Sequence, residues 1–409
     1  MKQVLDTPIG GVNRDRLFLA SCMALVVTSM TFAIRAGMLK GLGEEFKLEP
    51  AQLGAIAGIA ALGFPIATTL GGFFVDVVGM KRLMWAAFAA HVLGIVLTIT
   101  AGGYWGLLIS TFLIGFANGM VEAVCNPLVA SMYTTNKTTM LNKFHVWFPG
   151  GIVIGSLVVM AADALQIGRN GQLAVMLLPT IAYAYLFFGQ LFPKTERVES
   201  GISVDSMIKA CLNPLFLFMM ACMFLTANTE LSTSGWVPTL LGKAGANPMI
   251  ILALATGVMA VGRYFGGPII HRLSPAGVLL ASAIVVTLGI YLLRTQSGNM
   301  AYLAALVFGI GACYFWPTML GFVSEYMPKT GALGLSLMGG AGMLGNWAYQ
   351  TFYLGDAVGR YTEAAKATNA DLKAAELAGG LRALEDINYM PMALIVAFAG
   401  LYVYMKNRK

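Results

Sequence analysis

Charge is what this chain has least of. Asp, Glu, Lys and Arg together make up 11% of its 409 residues, where soluble domains carry roughly 25%. An ordinary water-soluble domain is excluded. The cysteines are few and scattered: Cys22, Cys125, Cys211, Cys222 and Cys313 all fall in or beside apolar stretches, with no CxxC and no Cys/His metal spacing. They read as small buried hydrophobes, implying neither disulfides nor zinc. No Walker sequence is present, so ATP is not the energy source, and no Ser/His/Asp set suggests an enzyme. A cleavable signal is also missing. The polar N-terminus leads at Leu17 into an apolar run too long for a signal-peptide core, which is expected to remain as a first helix.

What the chain has in abundance is apolar length. It is 58% hydrophobic with a mean hydropathy of +0.74, and stretches of about 20 apolar residues recur from end to end, each able to cross a bilayer core. The expected fold is all-α and membrane-integral, with twelve spans near 17–39, 51–75, 83–101, 104–132, 144–162, 172–192, 213–240, 249–271, 276–294, 300–324, 331–353 and 388–405. The polar break 193–210 reads as a cytoplasmic linker between a six-helix bundle over 1–192 and a second over 211–409. Residues 356–386, Ala-rich with charges of both signs, read as a partly helical outer loop, either solvated or a lid over an outer vestibule.

Orientation follows from the basic residues. With the N-terminus inside, fifteen Lys and Arg fall on the cytoplasmic side, among them Arg14, Arg16, Lys81, Arg82, Lys137, Lys194 and Arg197. The outer loops receive five, namely Lys40, Lys47, Arg169, Lys243 and Arg294. Both termini are therefore expected in the cytoplasm, in a multi-pass protein of the cell (inner) membrane. The net charge of +7 is explained by topology and implies no nucleic-acid partner. The expected partners are the bilayer and a small-molecule substrate, with a monomer as the working unit.

The two halves echo one another. GMVEAVCNPLVASMYTTNKTTML, followed by a Gly-rich helix, sits where GACYFWPTMLGFVSEYMPKTGAL stands in the second half. Duplicated six-helix bundles of this kind mark one class of transporter, with the site near the midplane between the repeats. GGFFVDVVGMKRL, between spans two and three, resembles the cytoplasmic signature loop of the major facilitator superfamily. Gly72, Asp76, Gly79, Lys81 and Arg82 match it, and Met80 replaces the first Arg. The resemblance implies a latch that holds one face closed, with the full charge relay in doubt. The second copy, GGPIIHRLSP, has His271 where the Asp would be.

Span four carries a carboxylate, Glu122, in an apolar helix, which by default suggests function. Asn118 and Asn126 lie four residues to either side and share its face; Pro127 follows, and His145 stands at the entrance to span five. Glu122-x-x-x-Asn126-Pro127 with His145 is similar to the fourth and fifth helices of the fucose/glucose/galactose–proton symporter branch. In the second half Glu230, Trp236, Pro238, Gly262-Arg263 and Trp316-Pro317-Thr318 agree with it. That branch implies proton coupling. Its first-helix aspartate is absent here. Arg35 stands in that span instead, and could snorkel to the interface, pair with Glu122 or hold an anionic solute.

The proton-coupling candidates are therefore Glu122, Arg35 and His145, with capping and packing the competing role for His145. Candidates for holding a polar solute are Asn118, Glu122, Asn126, Asn228, Glu230, Trp236, Arg263, Trp316, Asn346 and Gln350, since amides and carboxylates bind hydroxyls and rings stack on a sugar's apolar face. Trp347 is a further ring candidate, and Trp147 is weaker than Trp316 and Trp236, since a Trp near a helix end is more often an interfacial anchor. Arg263 could equally pair with carbonyls or Glu325 as a gate. His91 has no evident companion and reads as buried filler. Gly340-x-Gly342-x-x-Gly345 has no βαβ context, so it is not a dinucleotide site, and Gly54/Gly58 and Gly151/Gly155 suggest close helix packing.

The expected function is secondary active transport by alternating access: proton-coupled symport of a small polar solute, most simply a hexose-like sugar. A sugar acid or other organic anion is the alternative, argued from Arg35 and Arg263, and drug-efflux antiport comes third. No cofactor or metal is expected beyond the driving ion, which is the proton, with sodium possible.

Overall fold

A computed structural model describes residues 11–243, 248–368 and 371–407, and every regular element among them is helical. The chain forms two compact units. One takes the chain up to Leu217 together with Leu320–Gly340, and the other takes Phe218–Met319 with Ala341–Lys409. The second-half segment Leu320–Gly340 thus belongs with the first six spans.

The first unit contains α1 (Arg14–Phe46), α2 (Pro50–Val78), α3 (Met80–Ile99), α4 (Tyr104–Met132), α5 (Lys137–Phe144), α6 (Trp147–Ala164), α7 (Arg169–Val175) and α8 (Leu177–Phe187). Their ends are set by local chemistry. Asn13 caps α1 by accepting from the Arg16 N–H at 3.0 Å, and Pro50 opens α2 at a position that needs no N–H donor. The expected linker is itself ordered, with α9 (Glu196–Glu199) and α10 (Val204–Cys211).

Helix α4 is the axis of this unit and packs on both α2 and α3. Glycine makes the α2 contact possible. A Cβ at Gly115 would lie 2.3 Å from the Ala60 carbonyl oxygen, and one at Gly119 would lie 2.1 Å from that of Phe64. Thr68 then donates across the seam to the Gly119 carbonyl at 3.1 Å. Gly151 and Gly155 bring α6 against α1 in the same way, whereas a Cβ at Gly54 would meet nothing. Close packing therefore explains the Gly151/Gly155 pair, and not Gly54.

The second half continues with α11 (Pro214–Lys243), α12 (Pro248–Tyr264), α13 (Gly266–Thr295), α14 (Asn299–Ala312), α15 (Phe315–Tyr326), α16 (Gly331–Tyr349), a π-helical segment Gln350–Leu354, α17 (Gly355–Lys366) and α18 (Leu372–Asn407). Ten segments among the described residues are long and apolar enough to cross a membrane. The eighth and eleventh expected spans lie outside that set. The eighth is interrupted after Tyr264, so α12 has 17 residues, and the chain turns at Ser274, whose φ of 62° breaks α13 just before Pro275. The eleventh is Gly-rich α16, prolonged by the π segment.

The expected outer loop is a helical hairpin, α17 against the first turns of α18. At 36 residues α18 is roughly 54 Å long, so it runs well past a ~30 Å hydrocarbon core. Asp386 accepts from the Tyr361 hydroxyl at 2.7 Å and the Tyr353 hydroxyl at 3.0 Å. Glu385 pairs with Arg294 at 2.8 Å, which ties the hairpin to the end of α13, and with Arg382 at 2.5 Å.

The hydrogen bond from Arg294, with the charges of Arg294 and Arg382, holds the Glu385 carboxyl below its ordinary range. Donation to Asp386 raises the Tyr361 hydroxyl above its own. A lowered carboxylate stabilises the fold above its unfolded pKa and is lost as pH falls through the folded value; the raised phenol contributes below its unfolded pKa and is lost as pH rises through the folded one. Amide protection over 356–386, taken relative to the intrinsic exchange rate at each pH, should thus be greatest near neutrality and fall at both acid and alkaline extremes. Glu385→Gln should give faster exchange at neutral pH and flatten the acid limb. Unchanged exchange in that variant would mean the Arg294 tie carries no weight.

Candidate functional site

The polar face of α4 is buried along its whole length: Asn118, Glu122 and Asn126 are 1%, 2% and 3% exposed. It divides between two clusters. Asn126 Nδ2 donates to Glu122 Oε2 at 2.5 Å. His145 Nε2 lies 3.1 Å from Asn126 Oδ1 and 3.9 Å from Glu122 Oε2. A carboxylate, an amide and an imidazole therefore share one buried pocket, where their mutual interactions are strong. His145 ends α5, its N–H bonded to the Leu141 carbonyl at 2.9 Å, and it is 1% exposed rather than standing open at an entrance. Pro127, inside α4, leaves the Ala123 carbonyl without its usual helical donor.

Asn118 turns the other way. Its Oδ1 meets His91 Nε2 at 2.9 Å and its Nδ2 donates to Thr31 Oγ1 at 2.9 Å. His91, read from sequence as filler without a companion, has two: Asn118 and the Tyr183 hydroxyl, 3.0 Å from its Nδ1. The spacing of polar residues on different spans carried no sign of this, because only the packing of α3 on α4 and α8 brings them together.

Arg35 is half-buried on α1. Its guanidinium lies 5.2 Å from the Phe32 ring centroid, and Phe32 makes an edge contact with Phe148 at 5.8 Å. Among the described residues no carboxylate forms an ion pair with Arg35, and Glu122 is engaged instead with Asn126 and His145.

The second unit holds its own charged pair. Arg263, 1% exposed, donates through Nη2 to Glu230 Oε1 at 3.0 Å and through Nε to the Cys313 carbonyl at 2.6 Å. The partner of Arg263 is thus Glu230 and a carbonyl. Glu230 Oε2 is buried and, among the described residues, accepts no hydrogen bond. Asn228 donates to the Phe224 carbonyl at 2.8 Å, while its Oδ1 is likewise unpartnered. Gln350 donates to Asn346 at 3.2 Å, and Asn346 to Ser232 at 3.1 Å, which forms a polar line from the π segment to α11. The Trp316 indole rests where Gly342 has no side chain, 2.9 Å from a would-be Cβ. Trp236 lies outside the described side chains.

Residues 18–348 match the family model described as Major Facilitator Superfamily. The chain belongs to the major facilitator superfamily. It is a multi-pass membrane transporter and not an enzyme. The transporter's fold is similar to that of FucP, a major facilitator transporter solved in the outward conformation, at TM-score 0.68 and 16% identity over 92% of this chain and 98% of that one. It is similar to the proton:xylose symporter XylE bound to 6-bromo-6-deoxy-D-glucose, at TM-score 0.71 and 13% identity over 94% of each chain. It is also similar to the human organic anion transporter MFSD10, at TM-score 0.69 and 13% identity over 94% of this chain and 99% of that one. Among sequences, it is 24% identical over 186 residues to the facilitated glucose transporter member 10 of Xenopus tropicalis, 44% of this chain and 33% of the relative. It is 26% identical over 133 residues to the sphingosine-1-phosphate transporter SPNS2 of Danio rerio, 32% of this chain and 26% of the relative. The chain thus spans a third or less of the curated relatives it matches.

In the transporter the signature loop is a packing joint as well as a charge site. Gly79 separates α2 from α3 with φ 89°, which only glycine adopts without strain. A Cβ at Gly72 would fall 2.4 Å from that of Ser336 on α16. Asp76 is bound by the Thr195 hydroxyl and the Arg197 guanidinium, both in the ordered linker, while Lys81 and Arg82 are exposed. Beside it a cavity of about 300 Å³ is lined by Asp76, Lys81, Gln190, Phe192 and Lys194. Lys137, 5% exposed, holds both Glu196 oxygens at 2.7 Å and the Ser324 carbonyl at 3.2 Å. Glu325 Oε1 accepts the Thr138 N–H at 2.9 Å, at the start of α5. Sequence reasoning missed Lys137, Thr195, Glu196, Arg197 and Glu325 as a group. One signal was available: Pro-Lys-Thr occurs twice, at 193–195 and 328–330, at the two places where this joint is made.

Lys137→Ala should lower stability by about 1–3 kcal/mol, read as a fall in the melting temperature of the solubilised transporter, because two partners lose their donor. Gly72→Leu should instead leave membrane insertion intact and reduce uptake, since the side chain must displace Ser336. Normal uptake with Gly72→Leu would show that this close approach is dispensable.

Proposed function

We propose that the transporter catalyses proton-coupled symport of a small polar solute, with a hexose-like sugar as the leading substrate. The observation that carries this reading is the buried Glu122–Asn126–His145 cluster. A carboxylate next to a neutral amide and an imidazole can take up a proton when the surroundings are apolar and release it when the environment becomes wetter or more cationic. His145 offers the exchanging group, and Asn126 holds both partners in reach. Glu230 in the second unit adds an acceptor oxygen that a solute hydroxyl could satisfy, and the line Ser232–Asn346–Gln350 adds amides of the type that bind sugars. Resemblance to sugar–proton symporters of the same superfamily supports the solute class. On this reading both termini face the cytoplasm of a cell (inner) membrane protein, and the Gly72–Asp76 joint with Lys137 and Glu325 gates the inner side during alternating access. The monomer is the working unit.

Arg35 favours a second reading, symport of a sugar acid or other organic anion. A guanidinium in a span without a carboxylate partner is costly unless something anionic visits it, and its planar fork suits a carboxylate. Asn118 is then less available to the solute than Glu230 and Arg35, since its amide is engaged on both sides.

Glu122→Gln in proteoliposomes should abolish solute-driven proton uptake and preserve solute counterflow; coupled uptake that survives would refute the assignment. Replacing sodium throughout should leave uptake unchanged, and a collapse on its removal would transfer the coupling role to that ion. Thermal-shift measurements with hexoses against uronates separate the two solute readings. Arg35→Gln should erase stabilisation by a uronate and spare that by a hexose if the anion reading holds, and should affect neither if Arg35 only rests against Phe32.

A further inference from the structure

Four helices of the first unit converge on an imidazole that the coupling cluster does not use. His91 on α3 is 0% exposed, and its partners Tyr183 on α8, Asn118 on α4 and Thr31 on α1 are 0%, 1% and 3% exposed. The distances are those of four consecutive hydrogen bonds: Tyr183 hydroxyl to His91 Nδ1 at 3.0 Å, His91 Nε2 to Asn118 Oδ1 at 2.9 Å, Asn118 Nδ2 to Thr31 Oγ1 at 2.9 Å, and Thr31 hydroxyl to the Thr28 carbonyl at 2.6 Å.

The closed end fixes the direction of the whole chain. A carbonyl can only accept, so the Thr31 proton is committed to Thr28 and the Thr31 oxygen accepts from Asn118. The amide nitrogen of Asn118 therefore faces α1 and its oxygen faces α3. That oxygen also only accepts, so His91 must carry hydrogen on Nε2. The remaining ring nitrogen then receives the Tyr183 hydroxyl. Each link in the chain then has one donor facing one acceptor.

The position of this chain gives it a task. Thr31 lies four residues before Arg35 on α1, and Asn118 four residues before Glu122 on α4, so each sits one helical turn away on the same face. The Asn118–Thr31 bond is a strut between the two helices that carry those charges. Without a donor at the His91 position, the Asn118 amide could turn over, and the strut would break.

We propose that His91 is a positioning residue for transport: as the neutral Nε2–H tautomer it orients the Asn118 amide, and so registers α1 against α4 one turn from Arg35 and Glu122. The inference rests on those two residues being working groups of the proposed symport. Its own core, the tautomer and the strut, needs no solute.

The test uses the full-length transporter in lipid nanodiscs and proteoliposomes, with glucose and glucuronate as probes. Nitrogen-15 spectra of the histidines, with His91 assigned by its loss in His91→Gln, should report the neutral Nε2–H tautomer at pH 7. The Nδ1–H tautomer or an imidazolium would overturn the proposal. His91→Phe should lower uptake of the transported probe by about tenfold or more per folded molecule, the scale expected when working groups shift slightly. His91→Gln, which restores an ε donor, should recover most of it. Equal uptake in parent and His91→Phe, or failure of His91→Gln to recover, would refute the role. If the parent moves neither probe, the symport reading fails separately. Spin labels at exposed Leu19 on α1 and Ile109 on α4 then decide the strut. Their distance distribution should broaden in His91→Phe and return in His91→Gln, and an unchanged distribution in His91→Phe would refute it. Should His91→Phe not fold, the isosteric Thr31→Val cuts the same strut from its other end and must give the same broadening.

Discussion

Hydrocarbon offers no hydrogen bonds, and this single fact about the solvent explains where the polar chemistry of the transporter lies. Each buried polar atom needs a partner from the chain itself, because leaving it bare costs several kcal/mol in an apolar medium. Glu122 is met by Asn126 and His145, His91 by Asn118 and Tyr183, Arg263 by Glu230 and the Cys313 carbonyl. These sets also tie the helices to one another, beside the close glycine contacts that seat α2 on α4 and α6 on α1. Function and architecture therefore draw on the same few residues. Some buried atoms escape the rule among the described residues, Glu230 Oε2 and Asn228 Oδ1 among them.

Much of the architecture was legible in the sequence because membrane helices are announced by length and apolarity. Most of the spans and the helical outer segment follow from those signals, and the family follows from the loop around Gly72 and Asp76. The unusual eighth span was harder to read. A break after Tyr264 and a left-handed residue at Ser274 interrupt it, and Gly266-Gly267-Pro268 and Ser274-Pro275 stand beside these two points as breakers. The assignment of Leu320–Gly340 to the first unit was not legible either, because it depends on where Gly72 and Gly321 allow close approach.

The candidate site was legible as a set of residues and not as a set of pairs. Asn118, Glu122 and Asn126 sit on one face of one helix, as the spacing of four required, yet Asn118 is drawn to α1 and α3 and the other two to α5. Spacing along a helix says which side chains share a face; it says nothing about which neighbouring helix each will meet. Arg35 was the converse. The absence of an aspartate in the first span made it conspicuous, and its seat on the Phe32 ring, without an ion-paired carboxylate among the described residues, could not be read from the spacing. Asp76 likewise finds its cation in the linker, where Arg197 takes the part the altered signature loop lacks.

The last helix carries a different kind of information. Because α18 is one piece from the outer hairpin to the end of the final span, and Glu385 fastens that hairpin to the end of α13, the projecting arm is a rigid extension of the second unit and not a hanging loop. The same helix that closes the second unit thus also forms one wall of the charged arm, so the two share a single axis.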